Sequence, residues 1–256
     1  MVERGPDEFY VGYLPKAPPS LARHLRLCVS VLAALAILVA GFLSASHRKL
    51  PRATFEFGVV RELTGILECQ PCPSLLIARA GATGASQRFS RYLLVTPGKH
   101  GAARVAHAFE GRRCTLLGSL VFRDGVTMVE VIPESVKADD DGPVGPLPAS
   151  EQSLGIKTLV GEIVDSKCYL GVMNPGHLKT HKECAVRCIS GGVPPVLLVR
   201  DELQGAMCFL LVDEAGGPVN DRVLDLVAEP VEIRGEVVKM GDLFVLKADP
   251  KGYRRL

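Results

Sequence analysis

The sequence predicts an all-β protein with one N-terminal transmembrane helix, built as two tandem small β-barrels, the second carrying a Cys/His-bearing helical insert. Three observations lead there. An uncharged apolar run, Leu27–Ser46, lies near the N-terminus. After it, short apolar runs alternate with turn residues, which is a strand signature. The second half of the chain then repeats pieces of the first, the signal that takes precedence in assigning architecture.

The run Leu27–Ser46 is rich in Leu, Ala, Val and Ile. As a helix it measures about 30 Å, enough to cross a bilayer. Arg23 and Arg26 flank one end and Arg48, Lys49 and Arg52 the other, so basic residues do not fix the orientation. Thiol-rich domains persist as disulfides where the surroundings are oxidising. That places residues 1–26 as a cytoplasmic tail, residues 27–46 as the span and the rest on the periplasmic side of a bacterial inner membrane. A cleaved signal peptide ending at Ser44-Ala45-Ser46 is the alternative, and the 26-residue leader favours an uncleaved anchor. The lipid bilayer is therefore the first expected partner. Cys28 lies within the span and reads as packing. The tail carries Phe9-Tyr10-Val11-Gly12-Tyr13-Leu14, a cluster suited to docking on another membrane or periplasmic protein, or to resting at the lipid interface.

Strands are expected at Leu63–Glu68, Ser74–Arg79, Arg91–Thr96, Arg113–Phe122 and Val126–Val131, with a hairpin turn at Arg123-Asp124-Gly125. These form a first domain over residues 54–136. Residues 137–154, with Asp139-Asp140-Asp141-Gly142-Pro143, read as a linker to a second domain at 155–250. Leu63-Thr-Gly65-Ile matches Leu159-Val-Gly161-Glu at an offset of 96. Tyr92-Leu-Leu-Val95 matches Phe209-Leu-Leu-Val212 at 117, and Gly118–Gly125 matches the segment from Gly235 at the same 117. Five short strands with a Gly-marked bend in each copy suit a Greek-key barrel of the oligonucleotide/oligosaccharide-binding (OB) type, with a sandwich as the competing fold. The change of offset means that copy two holds 21 more residues between its first strand and its Phe-Leu-Leu-Val strand. That interval contains the insert at 165–192, where function is expected to reside.

The insert reads Asp165-Ser-Lys-Cys168, then Thr180-His181-Lys-Glu183-Cys184-Ala-Val-Arg-Cys188. Thr180 with Glu183 forms a capping-box pattern and Gly191-Gly192 a stop. A helix over 181–189 puts His181, Cys184 and Cys188 on one face. Cys168, His181, Cys184 and Cys188 offer a tetrahedral set for zinc or another transition metal, with Asp165 as a supporting group behind them. A disulfide from Cys168 to Cys184 or Cys188 is the leading reading in an oxidising space. Redox chemistry is the third, since a first-turn position beside His181 favours a lowered thiol pKa at Cys184. Cys69-Gln-Pro-Cys72 is a C-x-x-C pair without a βαβ context, so a local disulfide is expected there. Cys114 and Cys208 read as small buried side chains in strands. Seven cysteines follow the anchor, so full pairing within one chain is impossible. His177 is a spare ligand in the insert loop, and His100 and His107 read as surface residues.

Lys+Arg of 30 against Asp+Glu of 28 leaves a net charge of +2, with no Trp and 5% aromatics. No nucleic-acid partner is expected on that basis. Nucleotide-binding glycine loops, G-x-S-x-G and H-E-x-x-H are absent from the sequence, and Asp165 has no second carboxylate for acid/base work. No catalytic turnover is expected. The leading function is a non-enzymatic accessory or assembly subunit of a bacterial membrane complex, followed by a metal-binding or metal-delivery module and a thiol oxidoreductase.

The segment Gly161-Glu-Ile-Val-Asp165-Ser-Lys-Cys168 followed by Cys184-Ala-Val-Arg-Cys188-Ile-Ser-Gly-Gly resembles a loose group of uncharacterised bacterial exported domains. They carry a D-x-x-C…H-x-x-C-A-x-x-C pattern on an OB-like barrel. The resemblance covers roughly residues 158–248 and implies an architecture, not an activity. The layout is also similar to the periplasmic haem chaperone of cytochrome c maturation, a single N-terminal helix carrying an OB barrel. That family binds haem through a histidine followed by a tyrosine. Asp249-Pro-Lys-Gly-Tyr253 has the tyrosine without the histidine, so haem binding is not carried over.

Overall fold

A computed structural model describes residues 17–47, 53–79, 89–143, 151–201 and 205–256. The chain divides into two compact units, Met1–Pro51 and Arg52–Leu256. The first holds a helix, α1 (Pro19–His47), opened by a proline whose missing N–H is harmless in the first turn. Its stretch Leu21–Ser46 is long and apolar enough to cross a membrane. The helix thus extends past both ends of the expected 27–46 span. The aromatic cluster Phe9–Leu14 lies outside the described residues.

The second unit is mostly β. A short strand β1 (Thr54–Phe55) leads into β2 (Arg61–Glu68), β3 (Ser74–Ala78), β4 (Phe89–Thr96) and β5 (His100–Gly101). A one-turn helix α2 (Ala103–Ala106) precedes β6 (Arg112–Arg123), β7 (Val126–Val131) and β8 (Lys137–Pro143). Then come β9 (Glu151–Asp165), helix α3 (Lys182–Ser190), β10 (Pro195–Asp201), β11 (Gly205–Val212), β12 (Pro230–Met240), β13 (Leu243–Lys247) and β14 (Arg254–Arg255).

Two closed five-strand barrels result. In the first, β2 pairs β3, β3 pairs β4, β4 runs parallel to β7, β7 pairs β6 and β6 returns to β2. In the second, β9, β10, β11, β13 and β12 close in the same order, again with one parallel pair, β11–β13. Equivalent strands of the two barrels pair alike. A Cβ on Gly65 would stand 2.5 Å from Leu76 O, and one on Gly161 2.5 Å from Leu198 O. Tyr92 faces Thr127 as Phe209 faces Phe244, both pairs 117 apart. The second strands carry a third offset. Ser74 pairs Leu93 as Val196 pairs Leu210, and Ser74 and Val196 are 122 apart. The first connection of copy two is therefore longer than the net offset suggested, and its second connection is shorter.

Each barrel has its own core. Leu67, Leu75, Leu94, Leu116 and Val129 fill the first. Ile163, Leu197, Phe209, Leu211, Ile233 and Leu246 fill the second. A third cluster lies between them, with Leu93, Val95, Val121 and Met128 from one barrel and Val164, Val196, Leu198, Leu210 and Val212 from the other. This explains the repeated Leu-Leu-Val runs. Alternate side chains of β4 and β11 enter their own barrel and the rest enter the shared core, so both faces are apolar.

Two local expectations change. The segment read as a linker is extended at both ends: Lys137–Pro143 forms β8 against β6, and β9 starts at Glu151. Residues 144–150 lie outside the described set. The capping box at Thr180 and Glu183 is not formed. The N-cap of α3 is His181, with no side-chain cap bond, because its ring is turned inward to Asp165. Gly191 does end the helix, and Gly192 follows at φ 95°.

Candidate functional site

The segment Asp165–Tyr169 leaves the end of β9 and is wholly buried, including an aspartate and a lysine. Buried charges need partners, and each has them. Asp165 accepts the Cys168 backbone N–H through Oδ1 at 2.8 Å and the His181 Nε2–H through Oδ2 at 3.1 Å. Lys167 Nζ donates to Thr96 O at 2.9 Å and Gly98 O at 2.8 Å, and meets Glu130 Oε2 at 2.5 Å. Ser166 donates to Pro194 O. The Tyr169 hydroxyl donates to Asp124 Oδ2 at 2.9 Å, and the Arg123 guanidinium lies 4.3 Å from the ring centre. Lys167 and Tyr169 reach across to the first barrel, so the segment Asp165–Tyr169 is built into the seam between barrels.

Three sulfurs gather at this seam. Cys168, Cys184 and Cys188 Sγ all lie within 4.8 Å of one another. Cys184 and Cys188 stand one turn apart on α3, and Cys168 comes from the turn after β9. His181 falls in an overlapping group with Asp165 and Cys168, also within 4.8 Å. Cys168 is shared by the two groups. With Nε2–H donated to Asp165, Nδ1 is the His181 nitrogen left with a lone pair. The sequence put His181 on the face of the two helical thiols; here it stands on the Cys168 side.

A residue of the first barrel completes the cluster. Lys99, in the turn between β4 and β5, donates from Nζ to Cys184 Sγ at 2.7 Å and reaches within 4.0 Å of Cys188 Sγ. Its turn is held from two sides. Lys167 binds the carbonyls of Thr96 and Gly98, and Gly101 N donates to Gly191 O at 3.0 Å. Glycine is required where the turn meets α3, because a Cβ on Gly191 would overlap Lys99 O and one on Gly101 would overlap Gly192 O.

The surroundings separate the thiols. The hydrogen bond from Cys168 lowers the pKa of Cys188, against burial and with help from the nearby Lys99 charge. Cys168 is pushed far up by that same bond, by burial and by the Asp165 charge, and keeps its proton. Cys188 is thus a thiol that its surroundings acidify. The Cys184 sulfur in turn raises the pKa of Lys99.

The expected disulfides are not formed: every cysteine is a free thiol. At the cluster three sulfurs share one centre with an ammonium instead of pairing. At Cys69-Gln-Pro-Cys72 the two side chains enter different cores, Cys69 the first barrel's and Cys72 the shared one. Their loop lines a cavity of about 440 Å³ together with Pro194, Leu210 and Asn220 of the second barrel. Cys114 and Cys208 are buried in β6 and β11 as expected. His177 does not join the cluster and stands 6.3 Å from the Tyr169 ring. Burial lowers its pKa to about 4.

Sequence reasoning missed Lys99, Lys167 and Glu130. Lys99 sits in a Pro-Gly-Lys turn that reads as plain surface. Lys167 lies in a run that is buried throughout, which only the structure shows. No protein-family model, curated protein or solved structure matches this chain.

Proposed function

We propose that this chain is a membrane-anchored, non-enzymatic module that holds a soft metal ion between two OB-like barrels. One observation carries the reading: the Cys168, Cys184 and Cys188 sulfurs lie within 4.8 Å of one another while unpaired. Three thiolates each about 2.3 Å from one ion stand roughly 4 Å apart, so the sulfurs need little movement to converge. Thiolate ligands select Cu(I) and Zn over hard cations. The Asp165–His181 pair is the carboxylate–histidine arrangement that orients a metal-binding imidazole. His181 Nδ1 or a water completes the coordination. The pattern of pairings shared by the two barrels, one parallel closure included, supports the OB-like assignment.

The test is elemental analysis of the detergent-extracted full chain, purified without chelators and then titrated with Zn²⁺ or Cu(I). One ion per chain is expected, with at least a tenfold loss of affinity in Cys184→Ser and Cys188→Ser. Binding that is equal in the triple serine variant would refute the site.

An accessory role in a larger membrane assembly is the second reading. Leu154, Ile156 and Val160 are exposed apolar residues on β9. The β9 edge ahead of Glu162 pairs only with β12 among the described residues. A photo-crosslinker at position 156 in intact membranes should join the chain to a protein; recovery as a lone uncrosslinked monomer counts against it.

A further inference from the structure

The contact between Lys99 and Cys184 is closer than a hydrogen bond to sulfur requires. An ammonium–carboxylate bond to oxygen already spans about 2.7–2.9 Å, and sulfur is a larger atom. The Lys99 Nζ to Cys184 Sγ separation of 2.7 Å suits two atoms joined through a single bent bridging atom. Lys99 is exposed, but the backbone on both sides of the contact is held. The Lys99 turn is fixed by Lys167 on one side and by the Gly101–Gly191 bond on the other, and Cys184 is fixed on α3. Cys184 is also the least buried of the three clustered thiols, so a small oxidant reaches it first.

We propose that Lys99 and Cys184 form a covalent modification site, a nitrogen–oxygen–sulfur bridge made with dioxygen as the oxidant. The lysine ammonium and the cysteine thiolate react with one O₂ to give Lys–NH–O–S–Cys and one water. New N–O and O–S bonds replace two N–H bonds and the O–O bond. The third proton and those two go to water and to the remaining N–H. Nitrogen and sulfur are each oxidised by two electrons, and the two oxygen atoms take up all four. Two equivalents of a dithiol reductant return the four electrons: the first attacks sulfur, releasing the Cys184 thiol and a hydroxylamine on Lys99, and the second reduces that N–O bond to the amine and water.

The bridge links the first barrel to the insert of the second. It occupies Cys184, so bridged and metal-loaded chains are alternative forms. The proposal does not rest on the metal reading, because it is tested on metal-free protein.

The experiment is intact-mass and peptide mass spectrometry of the full chain, purified in detergent with chelator, in air and under anaerobic conditions. The expected result in air is a gain of one oxygen less two hydrogens, with the peptides carrying Lys99 and Cys184 joined. The joined species should disappear with dithiothreitol, in anaerobic preparations and in Lys99→Arg, which keeps the charge. A loss of two hydrogens alone, which marks a disulfide, would overturn the proposal. So would unlinked peptides carrying two added oxygens on Cys184, or Cys184 fully alkylated after aerobic purification.

Discussion

Lys167 Nζ stands 2.5 Å from Glu130 Oε2, joining the turn after β9 to β7 of the first barrel through an almost wholly buried ammonium. Two backbone carbonyls complete its shell, so all three donors are used. Removing one partner of a buried pair is far costlier than replacing both with apolar groups. Lys167→Met should destabilise the β unit by about 3 kcal/mol. Lys167→Met with Glu130→Leu should recover a substantial part of that. Urea midpoints at unchanged m-value measure both, and equal loss in single and double variants would show that the pair is not coupled.

The duplicated glycines give a paired prediction. A methyl at Gly65 or Gly161 meets a backbone carbonyl on the neighbouring strand at 2.5 Å. Overpacking against backbone costs roughly 1–3 kcal/mol. Gly65→Ala and Gly161→Ala should each lower stability by such an amount, in one transition if the shared core couples the barrels. A neutral outcome at either position would separate the two copies structurally.

His177 predicts a pH dependence. Burial, with the charges of Arg200 and Arg123 adding to it, lowers its folded pKa to about 4. An unfolded chain takes up that proton near the usual 6.5. Between those values the unfolded state binds more protons, so the contribution is present above pH 6.5 and lost as pH falls towards 4. Melting temperatures compared at pH 7 and 4.5 should fall less in His177→Gln than in the parent. An identical fall would exclude this residue as the cause.

The C-x-x-C pair should be inert. Burial raises the Cys69 thiol to about 12 and the Cys72 thiol to about 11, so both stay protonated at neutral pH. Iodoacetamide at pH 8 should leave them unmodified in the native protein and label both in urea, read by peptide mass spectrometry. Rapid native labelling of either would show that its thiol is not held protonated by burial.

The strands and the apolar helix were legible because each carries its period or length locally. Gly65 and Gly161 marked the repeat by sequence alone, for the same reason that both sites exclude a side chain. The gathering of Cys168, Cys184 and Cys188 was legible too, since a turn and one helix face bring them near. The capping box failed because tertiary contact with Asp165 took His181 inward. The disulfides failed because thiol spacing says nothing about which core a side chain enters: Cys69 and Cys72, three positions apart, enter two.

By itself, then, the sequence determined an apolar N-terminal helix, a strand pattern that builds two barrels and a thiol-rich segment between Asp165 and Cys188. Only the tertiary structure decided that Lys99, 85 positions from Cys184, belongs to the same site. The reason is physical. Strand and helix periods act over a few residues, whereas the place of Lys99 depends on how the doubly buried faces of β4 and β11 meet in the shared core. It depends as well on a buried lysine, Lys167, that clamps the turn once they have met.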